Sequence, residues 1–222
     1  MIVSMWMTRD VVTLSPNDTI ATAAREMGSR NIRRLLVTQR GDTRSTLLGL
    51  VSAYDVARAF PPELNPMANE PADERLERPV STIMSRKLKT TAPSTPIEDV
   101  ARAFMEEKIG ALPVVRGTTL EGIITETDIF RALVEMIGVG EHGVRVVFDV
   151  GENENAVDAV VDLGRQNLMH LASILSVRTR VERVQGSKRI AVVRFVGDHS
   201  PNLVEKIWDS GHRVLSVLNV DR

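Results

Sequence analysis

Two short stretches place a hydroxyl three residues ahead of a carboxylate: Ser52-Ala53-Tyr54-Asp55 and Thr125-Glu126-Thr127-Asp128. Each follows a glycine and two apolar residues, Gly49-Leu50-Val51 and Gly122-Ile123-Ile124. At that spacing the two side chains form a capping box, in which hydroxyl and carboxylate satisfy free backbone donors at a helix start. Capping alone is worth about 1 kcal/mol, so the pattern has a purely structural explanation. The same geometry has a second use. A helix N-terminus offers unpaired N–H groups and partial positive charge to a phosphate, while a nearby carboxylate accepts two hydrogen bonds from ribose hydroxyls. Arginines at Arg33, Arg34, Arg58 and Arg131 are candidate phosphate partners, because guanidinium forks match phosphate oxygens and stay charged. Arg58 and Arg131 lie three residues after their aspartates, where an Asp–Arg surface pair of little energetic worth is the plainer reading.

These stretches sit inside an internal duplication. Met7 to Val37 aligns with Met84 to Val114 at a constant offset of 77, which then drops to 73 so that Gly49 to Ala59 lies on Gly122 to Ala132. A loss of four positions between two strands is what a shortened hairpin produces. Two copies of one unit imply two pseudo-equivalent sites. They are not identical, since Gly110-Ala111 occupies the positions aligned with Arg33-Arg34. A polyphosphate bound in only one copy would therefore take the site containing Arg34.

Each copy reads as short strand, helix, strand, strand, helix. Thr95-Pro96-Ile97-Glu98 has the form of a capping box with proline first in the helix, and Ile97, Val100, Ala101, Phe104 and Met105 recur at helical spacing. Ile20, Ala23, Ala24 and Met27 repeat the pattern. Strands follow at 35–38 and 112–115, turns at Arg40-Gly41-Asp42 and Arg116-Gly117, further strands at 47–51 and 120–124, and last helices opening at Asp55 and Asp128. The stretch 61–79 carries five prolines and reads as a connector. After Gly138, Gly140 and Gly143 a new pattern begins: strand 144–150, helix 155–167, strands 171–183 and 189–196 around a turn at Gln185-Gly186-Ser187, a helix from Ser200-Pro201 to Gly211, and strand 214–220. That βαββαβ order is the ferredoxin-like arrangement. The expected fold is α+β, with boundaries at 3–60, 61–79, 80–137 and 143–222.

Bulk composition narrows the function classes. The chain has 222 residues, 43% hydrophobic and 26% charged, with a net charge of -1 and no cysteine. That balance argues against a broad basic face for nucleic acid, and the missing cysteines exclude disulfides, thiolate metal sites and a cysteine nucleophile. No apolar run approaches the ~20 residues of a membrane helix, and a cytoplasmic location without membrane contact is expected. His142, His170, His199 and His212 lack metal-site spacing, so no metal is expected. There is no phosphate loop, nucleophile elbow or histidine–carboxylate pair in a recognisable setting, which makes catalysis the least favoured class. Met1, Met5 and Met7 read as gap fillers or a frayed terminus.

The region 3–137 resembles a tandem pair of CBS domains, the module that senses adenine nucleotides and related adenosyl ligands. The resemblance rests on Val11-Val12-Thr13 and Leu88-Lys89-Thr90, on Leu112-Pro113-Val114-Val115, and on the glycine, two apolar residues, Ser or Thr, and Asp present twice. Repeat one departs from it with Leu35-Leu36-Val37. The region 143–222 is similar to an ACT domain, although 149–155 lacks the usual Pro-Gly, which argues against amino-acid binding there. The three-part order is similar to acetoin-utilisation regulators of the AcuB type. By this resemblance Asp55 and Asp128 hold ribose, Ser52 and Thr125 hold phosphate or ribose oxygens, and the backbone at Thr13-Leu14 and Thr90-Thr91 flanks adenine. Arg34 and Ala111 line the other side, with Arg33 nearby. The implied protein is a non-catalytic sensor of AMP, ADP, ATP, NAD or S-adenosylmethionine, homodimeric, passing its signal through the ACT-like domain or to an unidentified protein target. A ligand-free homodimeric scaffold with merely structural capping boxes is the alternative.

Overall fold

The computed structural model describes residues 1–41, 45–59, 77–138, 142–151, 155–180, 187–197, 201–211 and 213–220. Two compact units emerge, Met1–Phe130 and Arg131–Arg222. The turn residue Asp42 and most of the expected connector lie outside the described residues, as do Gln185-Gly186 and Ser200.

In the first unit, β1 (Thr13–Leu14), α1 (Ile20–Arg30), β2 (Arg34–Arg40), β3 (Ser45–Ser52) and α2 (Ala53–Ala59) form the first repeat. The second holds α3 (Ile97–Glu107), β4 (Ala111–Arg116), β5 (Thr119–Thr125) and α4 (Glu126–Ile137), the unit boundary falling within α4. One five-stranded sheet runs β1-β2-β3-β5-β4, its halves joined where Thr46 pairs with Thr119. Both hairpins are antiparallel and carry a register shift at the same relative place, Val37/Thr38 and Val114/Val115. Helix α1 starts with Thr19 accepting from the Thr22 N–H and ends at Asn31 in the left-handed conformation (φ 52°, ψ 42°). Its repeat partner α3 ends the same way at Lys108 (φ 54°, ψ 38°).

The segment leading into each repeat packs on the other repeat. Val3 and Ser4 donate to the carbonyls of Thr95 and Pro93, and Ile97 donates to that of Met1. Correspondingly, Val80 and Ser81 donate to Asp18 and Pro16, and Ser85 exchanges two bonds with Leu50. Val80 and Met84 therefore belong to the first repeat's core, with Leu14, Ile20, Leu35, Val37, Val51 and Val56. Burying a valine fully stabilises by about 1.5–3 kcal/mol, which accounts for Val3 and Val80 both being inaccessible. The start of the chain is thus tied down rather than frayed. Backbone pairing fixes it, and Met7 is buried while Met5 is exposed.

Two local expectations change. Pro96 is the residue before α3 rather than its first helical residue, and the Thr95 hydroxyl accepts from the Ala92 N–H, closing a turn instead of capping the helix. The last helices of the repeats open at Ala53 and Glu126, two residues ahead of the aspartates, because Ser52 and Thr125 immediately precede them as caps.

The second unit contains β6 (Gly143–Asp149), α5 (Ala156–Gln166), β7 (His170–Arg180), β8 (Ser187–Val196), α6 (Pro201–Trp208) and β9 (Arg213–Val220). Its antiparallel sheet runs β7-β8-β6-β9. Alternation along the strands sends Val144, Val146, Phe148, Ala191, Val193 and Phe195 to one face, where they meet Val160 and Val161 of α5 and Leu203 and Ile207 of α6.

Candidate ligand clefts of the repeated unit

Both capping boxes close. The Ser52 N–H and hydroxyl donate to Asp55 Oδ2 at 2.8 and 2.6 Å, and the Asp55 N–H returns to the Ser52 hydroxyl at 3.2 Å. In the second copy the corresponding distances are 2.9, 2.7 and 3.4 Å, with Thr125 and Asp128. Asp55 is partly accessible, whereas Asp128 is 4% exposed. Charge-assisted bonds of this length hold each carboxylate in one rotamer.

Strand register then places further candidates beside the boxes. Arg34 stands opposite Ser52, and Thr13 opposite Leu36, two residues along β2. Paired residues, and residues two apart, project to the same side of a sheet, so Thr13, Arg34 and Ser52 share one face. Leu14 pairs with Val37 and points into the core, offering a ligand little beyond its backbone. In the second repeat Ala111 is opposite Thr125, and Thr91 beside Val114 donates to Pro113 while accepting from Val115. Thr90 precedes it on the alternate face. The Arg33 side chain is exposed, and its carbonyl accepts from the Ala53 N–H at 2.9 Å, tying the α2 start to the chain before β2. Arg58 lies over Tyr54, with its guanidinium carbon 5.8 Å from the ring centroid, in place of the expected pair with Asp55.

Two hollows on the first unit have linings that include neither box. One of about 720 Å³ is lined by Thr13, Leu14, Ser15 and Asn17 together with Thr38, Gln39, Ser45 and Leu48, towards the end of the β2–β3 ladder away from Ser52 and Asp55. Another of about 450 Å³ joins Thr90 and Thr91 to Asp99, Val100 and Ala103 of α3, on the helix side of the sheet. Of the candidate residues, Thr13-Leu14 borders the first hollow and Thr90-Thr91 the second, while neither Ser52–Asp55 nor Thr125–Asp128 lines either. Thr38, buried at 6%, and Ser45 went unread in the sequence because an apolar strand with one hydroxyl looks like ordinary core. Among the described residues no cluster of three His, Cys, Asp or Glu could hold a metal, and no helix is long and apolar enough to cross a membrane.

Comparison with known proteins agrees with the duplicated architecture. The CBS domain family profile matches residues 3–62 and 80–135, and the chain belongs to that family. It is a mixed α/β protein with a CBS pair and two sheets. MJ1404 of Methanocaldococcus jannaschii is 34% identical over 146 residues, 62% of this chain, and the match spans about a third (34%) of that relative's length. A Vibrio cholerae protein assigned to acetoin utilization, AcuB, is 28% identical over 63% of this chain and 94% of its own, with a TM-score of 0.53. CBSX2, solved in complex with AMP, is 27% identical over 60% of this chain and 96% of its own, with a TM-score of 0.50.

Proposed function

We propose that the first unit is a regulatory sensor of an adenosyl ligand, of which AMP is the best-supported example, and that it performs no chemistry on that ligand. The observation that carries this reading is the twofold recurrence of a closed hydroxyl–carboxylate box beside a strand face bearing Thr13 and Arg34 in one copy and Ala111 in the other. The AMP complex of CBSX2, at 27% identity, supports the ligand class. Asp55 and Asp128 would accept from ribose hydroxyls, Ser52 and Thr125 would meet phosphate or ribose oxygens, and the backbone at Leu14 and Thr91 would flank the base. The second unit serves as an ACT-like output domain in this reading, supported by its βαββαβ order and its β7-β8-β6-β9 sheet. Dimerisation of a cytoplasmic protein completes the proposal. For the ligand to act, it must bind two arrangements of the chain with different affinity.

A ligand-free scaffold is the second reading, favoured by the completeness of the boxes themselves, since each aspartate already satisfies its local donors. A thermal-shift panel of AMP, ADP, ATP, NAD and S-adenosylmethionine, on protein freed of copurified nucleotide, separates the two. At ~100 times its dissociation constant a ligand should stabilise the fold by about 2.7 kcal/mol. No shift with any compound supports the scaffold.

A further inference from the structure

Gly110 marks a meeting point of the two repeats. A Cβ there would stand 2.5 Å from Arg34 Nη2 and 2.9 Å from Glu126 Oε2, so a guanidinium of repeat one and a carboxylate of repeat two converge on one small volume. Arg34 is the rung opposite Ser52, and Glu126 follows Thr125 and opens α4. Each charge therefore adjoins one of the two hydroxyl–carboxylate boxes. The duplication makes the arrangement one-sided: Ala111 aligns with Arg34, Ala53 with Glu126, and Arg33 with Gly110. At the pseudo-equivalent junction both of these charges are replaced by alanine.

Opposite charges that approach one small volume attract, and the Glu126 side chain is exposed and so open to an incoming ligand. A phosphate reaching Arg34 would have to share the guanidinium with this carboxylate. We propose that Glu126 is a specificity-determining residue of the nucleotide site: it competes with the ligand's phosphate for Arg34 and so sets the preference between phosphorylated and unphosphorylated adenosyl ligands. This rests on reading the first unit as an adenosyl sensor. The carboxylate works as built-in discrimination against anions, which a site lacking it would not exercise.

The test is calorimetric titration of adenosine and of AMP into the full chain, as wild type, Glu126→Gln, Arg34→Ala and the double variant, each checked for an unchanged melting transition. Glu126→Gln should increase the AMP-over-adenosine affinity ratio by about fivefold or more, because the neutral amide no longer draws on the guanidinium's charge. Arg34→Ala should bring the ratio close to one, and the double variant should match Arg34→Ala alone. Arg34→Lys, which keeps the charge without the fork, should fall between, and it replaces Arg34→Ala if the latter unfolds. A ratio unmoved by Glu126→Gln, or raised equally when Arg34 is absent, overturns the inference while leaving the sensor reading intact. Failure of both ligands to bind wild type overturns the two together.

Discussion

Thr8 and Ile123 exchange both of their backbone hydrogen bonds, 2.9 Å in each direction, although they lie in the opening segment and in the last strand of the other repeat. Leu50 and Ser85 make the equivalent exchange at 3.0 and 2.9 Å. These crossings explain the glycine that opens each Gly-apolar-apolar-Ser/Thr motif. A Cβ on Gly122 would stand 2.5 Å from the Thr8 carbonyl oxygen, and one on Gly49 would stand 3.0 Å from that of Ser85 and 2.7 Å from Met84 Sδ. The first letter of the motif is thus a packing requirement between repeats, while its last two letters cap a helix.

The two glycines should differ in tolerance. At Gly122 the obstacle is backbone, which cannot swing aside, whereas at Gly49 the nearest atom belongs to a flexible thioether. Gly122→Ala is expected to destabilise by about 2–3 kcal/mol, within the range for overpacking, and Gly49→Ala by about 1 kcal/mol. Urea unfolding of the two variants measures the difference, and equal losses would contradict the crossing as the cause.

Val80 opens the second repeat in sequence yet lies inside the first repeat's core. Val80→Ala should therefore cost about 2 kcal/mol. Hydrogen exchange should show the loosening in α1 and β2 rather than in α3 and β4, and the opposite distribution would refute the exchange of leading segments.

Lys108 adopts the left-handed conformation that ends α3, without the short polar side chain that eases Asn31 into the same geometry. Lys108→Gly is expected to stabilise by about 0.5–1 kcal/mol, since glycine takes positive φ freely. A thermal midpoint that falls would show that the lysine contributes an interaction beyond its backbone.

Much of this architecture was legible in the chain, for identifiable reasons. The constant offset between Met7 and Met84 revealed the duplication, and of the helical stripe Ile97, Val100, Ala101, Phe104 and Met105 the structure buries Ile97, Val100 and Phe104 but leaves Met105 82% exposed. The caps at Ser52 and Thr125 followed from local chemistry alone. What remained hidden depended on distant contacts. Nothing local in Val3 or Val80 says which repeat receives it, and the pairing of Thr8 with Ile123 joins residues separated by nearly the whole first unit. Arg34 looked like an asymmetry within one site, but its proximity to Glu126 is a relation between repeats that no spacing encodes. The hollow at Thr38 and Ser45 arises from strand pairing rather than from a motif.

In the proposed function the duplicated aspartates serve a ligand as well as a helix. Asparagine keeps an acceptor for the cap but loses the carboxylate that accepts two ribose hydroxyls. The most direct measurement is therefore calorimetric titration of AMP into nucleotide-free wild type, Asp55→Asn and Asp128→Asn, with unfolding free energies measured alongside. Wild type should bind AMP saturably, with affinity weakened about tenfold or more in at least one variant and stability held within about 0.5 kcal/mol. Undiminished AMP binding in both variants, or none in the wild type, would contradict the proposed function.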